Sequence, residues 1–203
     1  MSRAKGLVIV ISGPSGVGKT TVAREVVKRM EGVFFSVSHT TRPPRGQEKH
    51  GRDYYFVSRE EFLRMVEEGE FLEWAEVFGN LYGTSRRELE KKRERGDVLL
   101  DIDVQGALSV EKLFPQSIRI ILFPPSLETL RERIDKRGDT PPEHVMKRLR
   151  KARWELSHYP HFTHIIVNED LERTVDGVCS IIKGERLRLS RMEERARRIL
   201  WEE

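Results

Sequence analysis

The stretch Gly13-Pro14-Ser15-Gly16-Val17-Gly18-Lys19-Thr20 fits the pattern G-x-x-x-x-G-K-[ST], in which a glycine-rich turn wraps phosphate oxygens. Given ordinary glycine usage, a chance match in a chain this long is on the order of one in a hundred. The flanks supply the context that the motif requires. Leu7-Val8-Ile9-Val10-Ile11 is a continuous apolar run, the pattern of a strand buried on both faces. Thr21 to Met30 then spaces its apolar residues as a helix does. Each residue type has a task. Gly13, Gly16 and Gly18 tolerate a backbone whose N–H groups point inward at an anion. The helix that follows presents its positive end to the same anion. Lys19 reaches β- and γ-phosphates, and the Thr20 hydroxyl suits Mg²⁺. A bare turn would need neither. Residues 13–21, Thr21 included, therefore predict a nucleoside triphosphate site with Mg²⁺ as companion ion.

Composition narrows the class. The chain has 203 residues, 37% hydrophobic and 34% charged, enough for one substantial core but little for two full domains. No apolar run approaches a membrane span, and Met1 to Gly6 lacks the apolar stretch of a secretory signal. One cysteine, Cys179, excludes an intrachain disulfide and a cysteine-based metal site; it is expected to pack within a helix. The expectation is a soluble cytoplasmic protein with no membrane partner. Net charge is +4, but the two signs are interspersed, and anionic nucleotides account for the excess as well as nucleic acid would. No nucleic-acid partner is expected.

Along the chain, strands are predicted at 33–38, 54–57, 70–78, 81–84, 98–103, 118–123 and 164–168. Helices are predicted from the Ser58-x-x-Glu61 capping box to Glu68, over 85–95, 105–113 and 127–137, from the Thr140 cap to about 158, and over 170–183. His39 to Asp53 reads as a loop, and Gly79-Asn80 as a hairpin turn. In 70–78, Phe71, Glu73 and Ala75 fall on one face and Leu72, Trp74 and Glu76 on the other. Gly138 to Glu143 breaks one helix, and Thr140-x-x-Glu143 opens the next. The tail keeps Met192, Ala196, Ile199 and Leu200 on one helical face, which is expected to pack on the body or on a second subunit of a homo-oligomer. Strand–helix alternation predicts an α/β fold, a parallel sheet flanked by helices, interrupted by an antiparallel-looking segment over 36–84. Ligands belong at the carboxyl ends of its strands.

Three constellations lie outside the phosphate loop. Val98-Leu99-Leu100-Asp101 ends a buried strand on an acid, which either holds Mg²⁺ with the loop hydroxyl or caps the next helix; beside the phosphate loop the metal is favoured. Asp103, two residues on, is expected on the same side of the strand. Arg42 and Arg45, with Tyr54 and Tyr82, combine bidentate cations with uncharged donors suited to a phosphate, although such a Thr-Arg-Pro-Pro-Arg turn is as often merely solvated. Arg133 and Arg137 lie four apart on one helix, with Arg148 just past the break, a layout that suits a lid over transferred phosphate.

Taken together, these segments resemble the guanylate kinases. The matching pieces are Gly13 to Thr20, Ser36-Val-Ser-x-Thr-Thr-Arg-x-Pro-Arg45, Gly51-x-Asp-Tyr-x-Phe-Val57, Glu70-Phe-Leu-Glu-Trp-Ala75, Tyr82-Gly83 and Leu100-Asp-Ile-Asp-x-Gln-Gly106, then Pro124-Pro-Ser126, Arg137-Gly138, Arg148-Leu149 and Ile166-Val-Asn168, covering residues 6–183. The resemblance implies a P-loop kinase core (1–35, 85–130 and 160–183), a GMP-binding segment (36–84), a helical lid (131–159) and a tail (184–203). It implies ATP and GMP as substrates and Mg²⁺ as cofactor. By analogy Glu73 would read the guanine nitrogens, helped by Asp103, with Ser38 and Thr84 as hydroxyls. Arg42, Arg45, Tyr54 and Tyr82 would hold the GMP phosphate. Lys19, Arg133, Arg137 and Arg148 would surround the transferred group, and Asn168 would touch adenine. Thr84 stands where the family often carries serine, which keeps the hydroxyl. The alternative is a guanylate-kinase-like interaction module without catalysis; such modules lack a working phosphate loop or lid arginines, and here those residues are present.

Overall fold

The computed structural model describes residues 5–136 and 142–201. In chain order the first half runs β1 (Val8–Ser12), α1 (Lys19–Arg29), β2 (Val33–Phe35), β3 (His39–Thr40), β4 (Tyr55–Phe56), α2 (Arg59–Glu67), β5 (Phe71–Val77), β6 (Asn80–Ser85) and α3 (Arg86–Arg93). The second half runs β7 (Asp97–Asp101), α4 (Val104–Leu113), β8 (Ile118–Phe123), α5 (Leu127–Lys136), α6 (Pro142–Ser157), a 3-10 turn (Tyr159–His161), β9 (His164–Val167), α7 (Leu171–Arg186) and α8 (Leu189–Trp201).

All five residues of β1 are buried. Successive side chains of a strand point to opposite faces, and here each face feeds its own core. Ile9 and Ile11 join Val22 and Val26 of α1 with Val175, Val178 and Cys179 of α7. Val8 and Val10 join Leu89 of α3 with Ala107 and Val110 of α4. The main sheet has the order β2-β7-β1-β8-β9, with every neighbouring pair parallel. The second sheet, β4-β3-β6-β5, is mixed. Parallel core and inserted segment are as expected.

The local differences have physical causes. The strand expected over 33–38 stops at Phe35; the chain crosses to the second sheet and pairs again at His39, inside what read as loop. Alternation in β5 fails at its start. The register shifts between Phe71 and Glu73, a bulge that lets neighbours face the same way. Phe71 thus packs with Phe62 and Leu81 while Leu72 enters the core beneath α4. The hairpin turn is Phe78-Gly79, not Gly79-Asn80, because Asn80 already pairs with Val77. The tail is helical, but α8 buries no residue: Met192 is half-buried, while Ile199 and Trp201 are 76% and 81% exposed, so among the described residues the body leaves the outer part of that face uncovered. The capping box at Thr140 lies outside the described residues. Among those described, no helix is long and apolar enough to cross a membrane.

Asp97 shows what holds the amino end of the sheet together. Its buried carboxylate accepts from the Leu7 N–H at 2.7 Å and from Arg186 Nε at 2.8 Å, tying β1, β7 and α7. Asp97→Ala leaves a buried N–H and a guanidinium without their acceptor, so it is expected to lower stability by about 2–3 kcal/mol. Urea unfolding with an unchanged slope would register that loss.

Candidate active site

The phosphate loop turns through Gly13, Gly16 and Gly18 at φ 137°, 91° and 100°. Two of these positions also lack room for a side chain: a Cβ on Gly13 would lie 2.6 Å from Leu122 O, and one on Gly18 2.7 Å from Asn168 Nδ2. Gly18 is the N-cap of α1, and no side chain closes that positive helix end. Lys19 Nζ curls back over the loop, donating to the carbonyls of Gly13 (2.7 Å) and Pro14 (3.3 Å).

Pairing of Ile11 with Asp101 in β1 and β7 brings the strand ends side by side. There the Thr20 hydroxyl donates to Asp101 Oδ2 at 2.5 Å. Hydroxyl and carboxylate in contact are hard oxygen ligands of the kind Mg²⁺ accepts while keeping water and substrate phosphate around it. Asp103 differs from expectation. The strand ends at Asp101, and Asp103 caps α4, accepting from the Gly106 N–H at 3.0 Å. The capping role that was open for Asp101 falls to its neighbour. Asp103 still lines the cleft.

Across the cleft stands Glu73, 7% exposed, its Oε1 accepting from the Thr84 hydroxyl at 2.5 Å across the paired β5 and β6. Burial pushes its carboxyl up to about 7; the Thr84 hydroxyl pulls the other way, and Asp103 adds to the rise. A carboxyl shifted in this way inside a cleft is a candidate functional position. One cleft is lined by Ser15, Gly16, Gly18, Lys19, Thr20 and Thr21 on one side and by Ser38, Tyr54, Glu73, Tyr82 and Asp103 on the other.

Arg42 lies behind this wall. Its guanidinium stacks 5.0 Å from the Tyr54 ring centroid, and Tyr54 meets Tyr82 edge-on at 6.0 Å. Both its forks are held by Glu48, at 2.7 and 2.8 Å, and Glu48 also accepts from the Arg45 N–H at 2.8 Å. The ion pair holds the Glu48 carboxyl below its usual range, and burial raises the Tyr54 phenol so that it stays a donor. Glu48 escaped the sequence reading, although an acid six residues after Arg42 in the same turn is a visible partner. Asp53, buried, accepts from Arg24 of α1 and from the Lys49 N–H at 2.8 Å, which fastens the inserted segment to the core.

In α5, Arg133 donates to the backbone carbonyl of Asn168 at 3.2 Å. The Asn168 amide, expected at adenine, is directed inward instead. It donates to Val17 O at 2.7 Å and accepts from the Thr174 hydroxyl at 2.9 Å, bracing the phosphate loop from behind. Arg137 lies outside the described residues. Arg148 sits over the Phe78 ring at 5.3 Å. Glu155 of α6 was not anticipated. It is 5% exposed, and burial pushes its carboxyl up to about 7 against the pull of Lys19 and Lys151, with Asp103 adding to the rise.

Two anion-directed half-sites that open onto one cleft, at the carboxyl ends of a parallel sheet, define a nucleotide kinase of the P-loop class. The family follows from comparison with known proteins. The guanylate kinase family model matches residues 5–185. A guanylate kinase of Thermotoga maritima is 51% identical over 199 residues, covering 98% of this chain and 96% of the relative. One from Hahella chejuensis is 45% identical over 188 residues, covering 92% and 90%. The crystal structure of guanylate kinase from Anaplasma phagocytophilum matches at a TM-score of 0.78 and 40% identity, covering 94% of this chain and 92% of that one. The chain belongs to the guanylate kinase family.

Proposed function

We propose that this protein transfers the γ-phosphoryl group of ATP to GMP, giving ADP and GDP, in the cytoplasm. The observation that carries the reading is the single cleft shared by Lys19 and Thr20 with Glu73 and Tyr82. The acceptor is a GMP phosphate oxygen, ionised at neutral pH, so no side chain has to remove a proton. The work left to the protein is alignment, charge neutralisation and exclusion of water.

In this reading the loop amides and Lys19 hold the β- and γ-phosphates, and Thr20 with Asp101 would hold Mg²⁺, which supplies further neutralisation of phosphate charge when bound. Glu73, ionised, accepts from guanine N1–H and N2–H₂, while Ser38 and Thr84 serve O6 and Asp103 assists. Arg42, released in part from Glu48, joins Arg45, Tyr54 and Tyr82 on the GMP phosphate. Arg133, Arg137 and Arg148 flank the transferred group, within a lid over 131–159 that faces a GMP-binding segment over 36–84.

The test is ADP formation from ATP and Mg²⁺ with GMP, AMP, UMP, dTMP or no acceptor. GMP is expected to exceed AMP by about 10³-fold or more in kcat/KM, because adenine would leave the Glu73 carboxylate facing an acceptor nitrogen. Equal ADP formation without any acceptor would overturn the reading.

A further inference from the structure

Phe78 breaks a local rule. It occupies the first position of a two-residue hairpin turn closed by Val77 and Asn80, with φ 50° at Phe78 and 80° at Gly79. Positive φ at both residues is the geometry that asparagine or aspartate followed by glycine fills with ease, and a bulky side chain there is an outlier. Strain of this kind persists where the residue has another task. The Phe78 ring makes no core: it is 46% exposed. It meets the lid helix instead. Arg148 Cζ lies 5.3 Å and Lys151 Nζ 4.7 Å from its centroid.

Arg148 and Lys151 lie one helical turn apart on α6, and two like charges over one ring repel. The negative face of the ring offsets part of that repulsion, and Glu155, whose Oε1 is 3.9 Å from Lys151 Nζ, offsets more. The hairpin that carries Phe78 also carries Glu73 and Tyr82. We infer that Phe78 is a positioning residue for phosphoryl transfer: its ring, at the tip of the acceptor hairpin, holds Arg148 and Lys151 of α6 against the hairpin whose strands line the shared cleft. Placement of the acceptor hairpin and placement of the lid helix are thereby coupled through one side chain. The inference rests on the reading of Arg148 as a residue of the phosphoryl side.

The experiment compares kcat, KM and thermal melting for wild type, Phe78→Asn, Phe78→Tyr, Arg148→Ala and the double variant Phe78→Asn/Arg148→Ala. Asparagine suits the turn, so Phe78→Asn is expected to melt at or above the wild-type temperature. Its kcat is expected to fall about 5- to 30-fold, the loss of a cation–ring contact, with GMP KM changed by less than about twofold. Phe78→Tyr keeps the ring and is expected to restore kcat. Phe78→Asn on the Arg148→Ala background is expected to slow turnover by less than about twofold, since the residue acts through Arg148. Wild-type kcat in Phe78→Asn beside a slow Arg148→Ala overturns the inference alone. So does failure of tyrosine to restore it, or a rate loss that merely follows a lowered melting temperature. Wild-type kcat in Arg148→Ala instead overturns the reading of Arg148, and the inference falls with it.

Discussion

Lys19→Met is expected to lower kcat by about 10³-fold while GMP affinity stays within about twofold. Methionine matches the length of the lysine stem and removes only the charge. In this structure Nζ is bonded to two loop carbonyls, those of Gly13 and Pro14, and to nothing on the acceptor side. Gly13 and Pro14 are buried and Lys19 is half-buried, so loss of the two bonds is expected to lower stability by about 1–2 kcal/mol without unfolding the chain. In the proposed reading, transfer does depend on the charge. Negative charge spreads over the equatorial oxygens of the moving phosphoryl group, and a fixed cation beside it stabilises that state more than the ground state. The loop amides remain in the variant, so ATP should still bind, less tightly. Initial rates at saturating substrates, with calorimetric titration of GMP into the unliganded protein, separate the two effects. A loss of GMP affinity as large as the loss of rate would place Lys19 on the acceptor and contradict the assignment.

The parts of this site legible in the sequence are those where chemistry is local. Strand, glycine turn, lysine, threonine and helix occupy one continuous stretch, and the apolar run of β7 ends on Asp101 where the carboxyl edge of a parallel sheet must lie. Ile118–Phe123 appears with the bounds its hydrophobicity suggests, because a strand buried on both faces needs no partner-dependent pattern. The rest depended on contacts between distant residues. Nothing near Asn168 signals that its amide reaches Val17, 151 positions away. Nothing near Glu155 signals that α6 buries a carboxylate within the field of Lys19. Alternation in β5 read correctly from Glu73 onward but not before, since a bulge adds a residue without leaving a mark in composition. The hairpin turn was displaced by one residue for a related reason: Asn80 beside Gly79 looks like a turn pair, yet strand length set by the Val77–Asn80 pairing forces Phe78 into the position asparagine would favour. Propensity gave way to register.

Glu73→Gln is expected to weaken GMP binding by about 10²- to 10³-fold and to remove a pH dependence at the same time. Glutamine can present an N–H₂ donor toward guanine N–H donors, so at least one buried polar group is left without a partner. The pH effect follows from the carboxyl standing at about 7 in the folded protein against a reference of 4.5. Because the folded value is raised, the native state keeps its proton where the unfolded chain has lost it. The stability this confers is fully present below about pH 4.5 and declines until about pH 7. Over about 2.5 pH units at about 1.4 kcal/mol per unit, the decline approaches roughly 3.5 kcal/mol. Glutamine carries no such loss, so the variant should be the more stable protein at pH 8 and not at pH 4. Under the proposed role of Glu73, binding runs in the opposite sense, since guanine would be read by the ionised form. At pH 6 the wild type must release close to one proton from Glu73 for each GMP bound, and at pH 8 almost none. Calorimetry in buffers of different ionisation enthalpy measures that release directly. Protons belonging to the GMP phosphate and to Glu155, itself pushed up to about 7, appear in wild type and variant alike and cancel in the difference. A difference of zero at pH 6 would mean that Glu73 gives up no proton when GMP binds, and would contradict a buried Glu73 that must ionise to read guanine.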